Sequence, residues 1–223
     1  LAKYLGCFHR ENLMSATYTE FKWLSAGAAN GEAGEALAQR FLKIVSGLDQ
    51  VERICDLGCG NGYLAGHLAT AGYDVTGVDA SESGIEIARR THRAPNFIFA
   101  DIDRAVAVAG PEKFDLVISS DVLEHLYRPA SLLEAASALV KPQGQILIGT
   151  PYHGYLKNFL LSLSGRMDAH FDALDDGGHI KFFSVRTLSS LVARHGFVNL
   201  NFHYYGRGPW LWMNMICHAR KGG

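Results

Sequence analysis

At 223 residues the chain is sized for one domain with a full two-sided core, since domains run about 100–200 residues. Hydrophobic residues make up 48% and charged residues 19%, which excludes a disordered or highly charged polypeptide. The formal net charge of −1 gives no global field to draw in nucleic acid, so the expected partner is a small molecule.

The first fifty residues have a texture of their own. An aromatic stretch with Tyr18, Phe21 and Trp23 is followed by a Gly/Ala-rich join at 25–34 and a helix from about Glu32 to Val45, which together read as a helical cap over a core. From residue 51 onward, short β-branched apolar runs alternate with helical patterns, the signature of a parallel sheet covered by helices on both faces. Strands are predicted at 51–56, 74–79, 96–100, 114–119, 144–150, 197–205 and 211–219. Helices are predicted at 63–71, 84–90, 130–140 and 187–195, with Gly196 placed for a left-handed helix end. The turn Lys141-Pro142-Gln143-Gly144 is expected to break the chain between helix and strand.

These elements predict an α/β, Rossmann-like fold: a seven-stranded, mostly parallel sheet with helices on both faces. Residues 1–50 would form the cap and 51–223 the domain. A longer insertion at about 151–180 carries Tyr155, Leu156, Phe159, Leu160 and Leu163 at one-face helical spacing, and it reads either as a helix packed on the core or as a substrate lid.

Cys7, Cys55, Cys59 and Cys217 form no C-x-x-C pair, so neither a zinc knuckle nor a disulfide framework is expected. Reduced thiols imply a cytoplasmic protein. No apolar run reaches the roughly 18 residues of a membrane span, and the start lacks a charged-then-apolar signal pattern. Leu1 in place of a methionine is expected of a trimmed sequence.

The strongest local signal is Ile54-Cys55-Asp56-Leu57-Gly58-Cys59-Gly60-Asn61-Gly62, which leaves a predicted strand and enters a predicted helix. Glycine lets the backbone turn sharply and approach a ligand, and the next helix offers free N–H groups at its N-terminus. A nucleotide-like ligand fits. The last small residue of the dinucleotide pattern is replaced by Tyr63, and Asp56 precedes the loop. A carboxylate there would repel a pyrophosphate and attract an ammonium group, which favours S-adenosylmethionine (SAM) over NAD.

This stretch resembles the first motif of class I SAM-dependent methyltransferases, and the resemblance continues from about residue 51 to 219. It implies donor contacts at Asp56, Gly58, Cys59, Gly60, Asp79, Ala80, Asp101, Ile102 and Ser119. Asp79 falls where that family binds the two ribose hydroxyls, and Asp101 where it meets the adenine amino group; the alternative for Asp101 is a solvated strand-end residue. The run from Phe114 to Leu126 and the segment Gly178-His179-Ile180-Lys181-Phe182-Phe183-Ser184 look like the branch that includes ubiquinone-biosynthesis O-methyltransferases.

Displacement at a sulfonium needs little beyond positioning, but a hydroxyl acceptor also needs a general base or a metal to reduce its proton affinity. Asp121, Glu124 and His125 stand at i, i+3 and i+4, one face if the turn is helical, and His179 follows the insertion. Glu124, His125 and His179 are thus the catalytic candidates. With Asp121 they also make a candidate Mg, Mn or Zn site, similar to the E-x-x-E-H…H set of small-RNA 2′-O-methyltransferases, with Asp121 where that pattern has Glu. Three readings stand side by side: a metal site, a metal-free base or substrate contact at His125, and a pocket-lining turn. His153 lies at a strand's carboxyl end, where open α/β sheets bind ligands.

The expected activity is transfer of the SAM methyl group to a small molecule, at a hydroxyl oxygen. N-methylation, an RNA 2′-O-methyltransferase-like metal enzyme, and a non-catalytic SAM-binding module are the alternatives. An NAD-dependent oxidoreductase is disfavoured by Asp56 and Tyr63.

Overall fold

A computed structural model describes residues 22–28, 31–171, 174 and 177–223. Tyr18, Phe21 and Cys7 lie outside the described residues, as do parts of the Gly/Ala join and of the 151–180 insertion. The chain runs α1 (Glu32–Val45), β1 (Arg53–Leu57), α2 (Tyr63–Thr70), β2 (Asp74–Asp79), α3 (Glu82–Thr91), β3 (Asn96–Phe99), α4 (Ile102–Ala109) and β4 (Phe114–Ser120). A 3-10 turn at Leu123–His125 leads to α5 (Ala130–Leu139), β5 (Val140–Pro151), α6 (Tyr155–Leu163), α7 (Met167–His170), α8 (Val185–Arg194), β6 (Phe197–Tyr205) and β7 (Asn214–Lys221).

The seven strands form one sheet in the order β3-β2-β1-β4-β5-β7-β6. Pairing is parallel from β3 through β5, while β7 runs antiparallel to both β5 and β6. The chain builds outward from β1 to β3 and then returns to lay β4 on the other side of β1. Ligands of open α/β sheets bind at such a reversal, outside the carboxyl ends of the strands. Here the reversal falls between β1 and β4.

Side chains alternate between two cores, as the period of two in a strand requires. Cys55, Val117, Ile146, Ile148 and Cys217 face a core closed by α4, α5 and α8. Ile54, Leu116, Ile118, Leu147 and Ile216 face another closed by α1, α2 and α3. The α1 helix, from the expected cap, is part of this second layer: Phe41 is fully buried and its ring would meet a side chain placed on Gly149 of β5. Three helices are started by side-chain caps that accept the orphan N–H groups of a first turn. Ser81 caps α3, Asp101 caps α4, and Ser184 caps α8 with a reciprocal bond from Thr187.

Several boundaries differ from expectation. The first strand starts at Arg53, and the last spans Asn214–Lys221 rather than 211–219. Lys141–Gly144 does not break the chain: β5 runs through it, and the irregularity is absorbed by a register shift against β4 and by Gln143 at φ 63°. The helix α4 had no counterpart in the sequence reading, because Ile102-Asp103-Arg104-Ala105-Val106-Ala107-Val108-Ala109 mixes β-branched residues into a short run. Cys55, Cys59 and Cys217 are buried free thiols. Among the described residues no helix is long and apolar enough to cross a membrane.

Candidate active site

The glycine loop is held by the strand beside it. Gly58 and Cys59 donate their N–H groups to Val78 O at 2.8 and 3.2 Å, and Gly60 N donates to Asp79 Oδ2 at 2.7 Å. Gly58 and Gly60 sit at φ 80° and 53°, where a side chain costs energy. Space forbids one as well. A Cβ on Gly58 would come within 2.2 Å of Val122 Cγ2, and one on Gly60 within 2.3 Å of the Trp23 ring. The first contact brings the donor-type loop against the turn that follows β4.

Asp79 closes β2, and its other oxygen accepts from Ser81 N at 2.7 Å. These bonds orient Asp79 toward the loop. Asp56, near the end of β1, is 2% exposed and its Oδ2 has no hydrogen-bond partner. Burial and then the charge of Asp79 push its carboxyl up to about 7. A buried carboxylate oxygen left unpaired is costly and invites a cationic partner.

Ala80 follows Asp79 in the turn before α3, partly buried. Asp101 is exposed, its Oδ1 accepting from Arg104 N at 2.9 Å, and Ile102 is the first residue of the helix so capped. Ser119 is buried and donates to Leu57 O at 2.7 Å, which pins β4 to the strand end that carries the loop. The Cys59 thiol is buried, and burial pushes it well up.

Residues that sequence reasoning passed over tie a strap, 22–28, across the loop. Asn61, inside the glycine motif, donates to Ser25 O at 2.8 Å and Gly27 O at 2.6 Å. Trp23 N donates to Ser83 Oγ at 3.1 Å while its ring lies against Gly60 and Gly84. A clue was available in the aromatic stretch before residue 25, but nothing local says which glycine an indole will cover.

Beyond β4 the structure joins three of the four metal candidates. Ligand atoms of Glu124, His125 and His179 all lie within 4.8 Å of one another. Glu124 is fully buried; Oε2 accepts from Thr150 Oγ1 at 2.9 Å, and Oε1 has no hydrogen-bond partner and lies 3.9 Å from His179 Nε2. Burial, then Asp121, raises the Glu124 carboxyl. The His125 and His179 rings meet edge to face at 4.9 Å. His125 Nδ1 is 3.2 Å from Gly178 O. A carbonyl only accepts, so Nδ1 carries the proton and Nε2 keeps its lone pair. The backbone carbonyl of Glu124 accepts from Ile180 N and Lys181 N, both at 2.9 Å, clamping the distant segment onto the turn.

Asp121 stands apart from this group. It precedes the 3-10 turn at φ 54°, and its Oδ1 accepts from Asn214 Nδ2 at 3.2 Å. The i, i+3, i+4 spacing therefore gives no common helical face: the turn is one short 3-10 segment, with Glu124 turned inward and His125 exposed. Thr150 and Asn214, which hold the two carboxylates, lie on other strands, and no spacing rule connects them to the motif.

The sheet order, the glycine loop after β1 and the acid at the end of β2 define a Rossmann-like domain built for a nucleoside ligand. A family model described as a methyltransferase domain matches residues 22–201. The chain belongs to that methyltransferase domain family. It is 37% identical over 103 residues to a ubiquinone biosynthesis O-methyltransferase of Stutzerimonas stutzeri, a stretch that is 44% of each chain. The chain spans about half the length of the curated relatives it matches. A SAM-dependent methyltransferase from Archaeoglobus fulgidus shares the fold at TM-score 0.66 and 17% identity, covering 84% of this chain and 94% of that one. So does magnesium protoporphyrin IX methyltransferase from Synechocystis PCC 6803 with bound S-adenosylhomocysteine (SAH), at TM-score 0.58 and 19% identity, covering 84% and 81%.

Proposed function

We propose that the chain transfers the methyl group of SAM to a hydroxyl oxygen of a small-molecule acceptor, with the donor over the glycine loop and the acceptor at Glu124, His125 and His179. The donor fits. The unpartnered Oδ2 of Asp56 suits the ammonium of the methionine moiety, the carboxylate of Asp79 at the end of β2 suits ribose hydroxyls as an acceptor, and the side-chain-free Gly58 and Gly60 allow close approach. Cys59 and Ala80 would line this stretch, Asp101 and Ile102 would border the adenine end, and Ser119 would fix the loop's strand.

The observation that carries the acceptor side is the grouping of Glu124, His125 and His179 on a turn whose Val122 touches Gly58. Transfer at the sulfonium needs the acceptor oxygen in line, and this turn is within reach of the donor loop. The three side chains fit a divalent cation such as Mg, Mn or Zn: a buried carboxylate with a spare oxygen and two imidazoles. When bound, the ion would lower the pKa of a hydroxyl and orient it. His125 holds a lone pair at Nε2, suited either to the ion or to receiving the hydroxyl proton. Thr150 keeps Glu124 oriented, and the clamp on Ile180 and Lys181 brings His179 to it.

The likeness to ubiquinone biosynthesis O-methyltransferases supports oxygen over nitrogen. The buried free thiols support a cytoplasmic setting, and the net charge supports a small acceptor over nucleic acid. The test is incubation with methyl-labelled SAM and matched catechols, phenols and amines. Label should appear on hydroxyls, and His125→Ala should depress turnover about a hundredfold or more with SAH affinity unchanged. Label on amines alone would replace this reading with N-methylation, and slow SAM turnover independent of any acceptor would point to a binding module.

A further inference from the structure

Past the end of β5 a second group of basic side chains gathers around the start of α6. Gly154 is the residue before this helix and supplies no side-chain cap to its first N–H groups, whose positive ends favour an anion. Lys157 sits in that same first turn, where the helix field opposes a cation, and it is only 5% exposed. Its Nζ donates to Tyr152 O at 2.7 Å, one bond for an ammonium with three donors. A lysine is almost never buried without a carboxylate, yet among the described residues none forms an ion pair with it.

The neighbours are basic side chains too, and among the described residues none is a carboxylate. His153 is 6% exposed, its Nδ1 has no hydrogen-bond partner, and rings of His170, Phe171 and Phe182 surround it at 5.5, 5.5 and 5.0 Å. Burial, then Lys157, His170 and His179, push its imidazole down to about 4, with Asn158 acting the other way. Burial and then Arg207 bring Lys157 down to about 8, and His170 is lowered by burial, Lys157 and Arg207. A buried ammonium with one hydrogen bond and, among the described residues, no ion pair is costly, so the arrangement calls for an anion to complete it.

We propose that the N-terminus of α6, with Lys157, His153, His170 and Arg207, is a receptor for an anionic oxyacid group, carboxylate or phosphate, carried by the acceptor. This rests on the acceptor lying at Glu124, His125 and His179. The two clusters adjoin: His153 N donates to Phe183 O, four residues beyond His179, and Thr150, which holds Glu124, lies three residues before His153. Phe171 and Phe182 exclude water from His153, and an ion pair gains strength in such surroundings. The receptor would fix the acceptor at one end while its hydroxyl meets the transfer site at the other.

The test is calorimetric titration of benzoate, phenyl phosphate and benzyl alcohol into SAH-saturated protein. At least one anion should bind about tenfold or more tightly than the alcohol, and the stronger anion identifies the oxyacid. Lys157→Met should weaken that anion about tenfold and Arg207→Gln, at an exposed position, about threefold, both with SAH affinity unchanged. Equal binding of all three probes overturns the proposal. So does full anion affinity in Lys157→Met or, should that variant not fold, in Arg207→Gln. The sequence also holds Asp172, Asp175 and Asp176 between His170 and Gly177; anion binding that appears only when all three are changed to Asn would mean that they complete the cluster, and would equally overturn it. Binding needs no methyl transfer, so anion affinity that persists in an inactive His125→Ala variant separates failure of the transfer reading from failure of this one.

Discussion

The proposed donor side and the proposed acceptor side of the site are built differently. Around the glycine loop, the backbone supplies most of the contacts, and the bond from Gly60 to Asp79 spans 19 residues of chain. On the acceptor side, side chains do the work and come from far apart: His125 reaches Gly178 over 53 residues, and Asp121 reaches Asn214 over 93. The donor side is thus a rigid feature of two neighbouring strands, with little room for substitution. The acceptor side is a convergence of loops, which can change its ligand without disturbing the sheet.

If that contrast is real, the largest effect on donor binding should come from filling the loop. Gly60→Val places a branched side chain at φ 53° against Trp23, and SAH affinity should fall more than about a hundredfold, roughly 2.7 kcal/mol, by calorimetry. Asp79→Ala comes next: removing a charge-assisted contact should cost roughly 1.5–3 kcal/mol of SAH affinity, and unchanged affinity would take Asp79 out of the site.

Asp56 sharpens the comparison through pH. Its carboxyl stands at about 7 in the free protein, and a ligand ammonium beside it would lower that value, so binding below pH 7 must release a proton. SAH affinity should therefore rise about tenfold per pH unit up to pH 7 and level off above it, until the ligand's own amino group deprotonates near about 8. Asp56→Asn should flatten the rise; a wild-type profile already flat from pH 5 to 7 would remove Asp56 from ammonium binding. The smallest effect is expected at the strap. Trp23→Ala uncovers Gly60 but leaves the loop bonds in place, and SAH affinity should drop about three- to tenfold, checked by the same titration.

The same contrast explains what could be read from residues alone. The strand, glycine loop and helix at 54–63 were legible because each residue's role is set by its immediate neighbours: β-branched run, positive-φ glycines, acid at a strand end. The sheet followed from the alternation of such units. Asp121 was grouped with Glu124 and His125 by a helical spacing that the short 3-10 turn does not provide. The structure brings His179 beside Glu124 and His125 through the carbonyl of Glu124 binding Ile180 and Lys181, a tertiary contact with no sequence signature. His153 read as a lone histidine; its basic and aromatic company comes from α6, α7, the segment before α8 and the loop after β6, which only folding brings together. The hold of Asn61 on Ser25 and Gly27 was hidden for the same reason.

The most direct measurement is calorimetric titration of Mg²⁺, Mn²⁺ and Zn²⁺ into chelator-stripped, untagged protein saturated with SAH. One-site binding that disappears in His125→Ala, with SAH affinity intact, is the expected result and would tie hydroxyl methylation to Glu124, His125 and His179. Absence of binding by all three ions would contradict a metal at that cluster and leave His125 and His179 as acid/base or pocket groups.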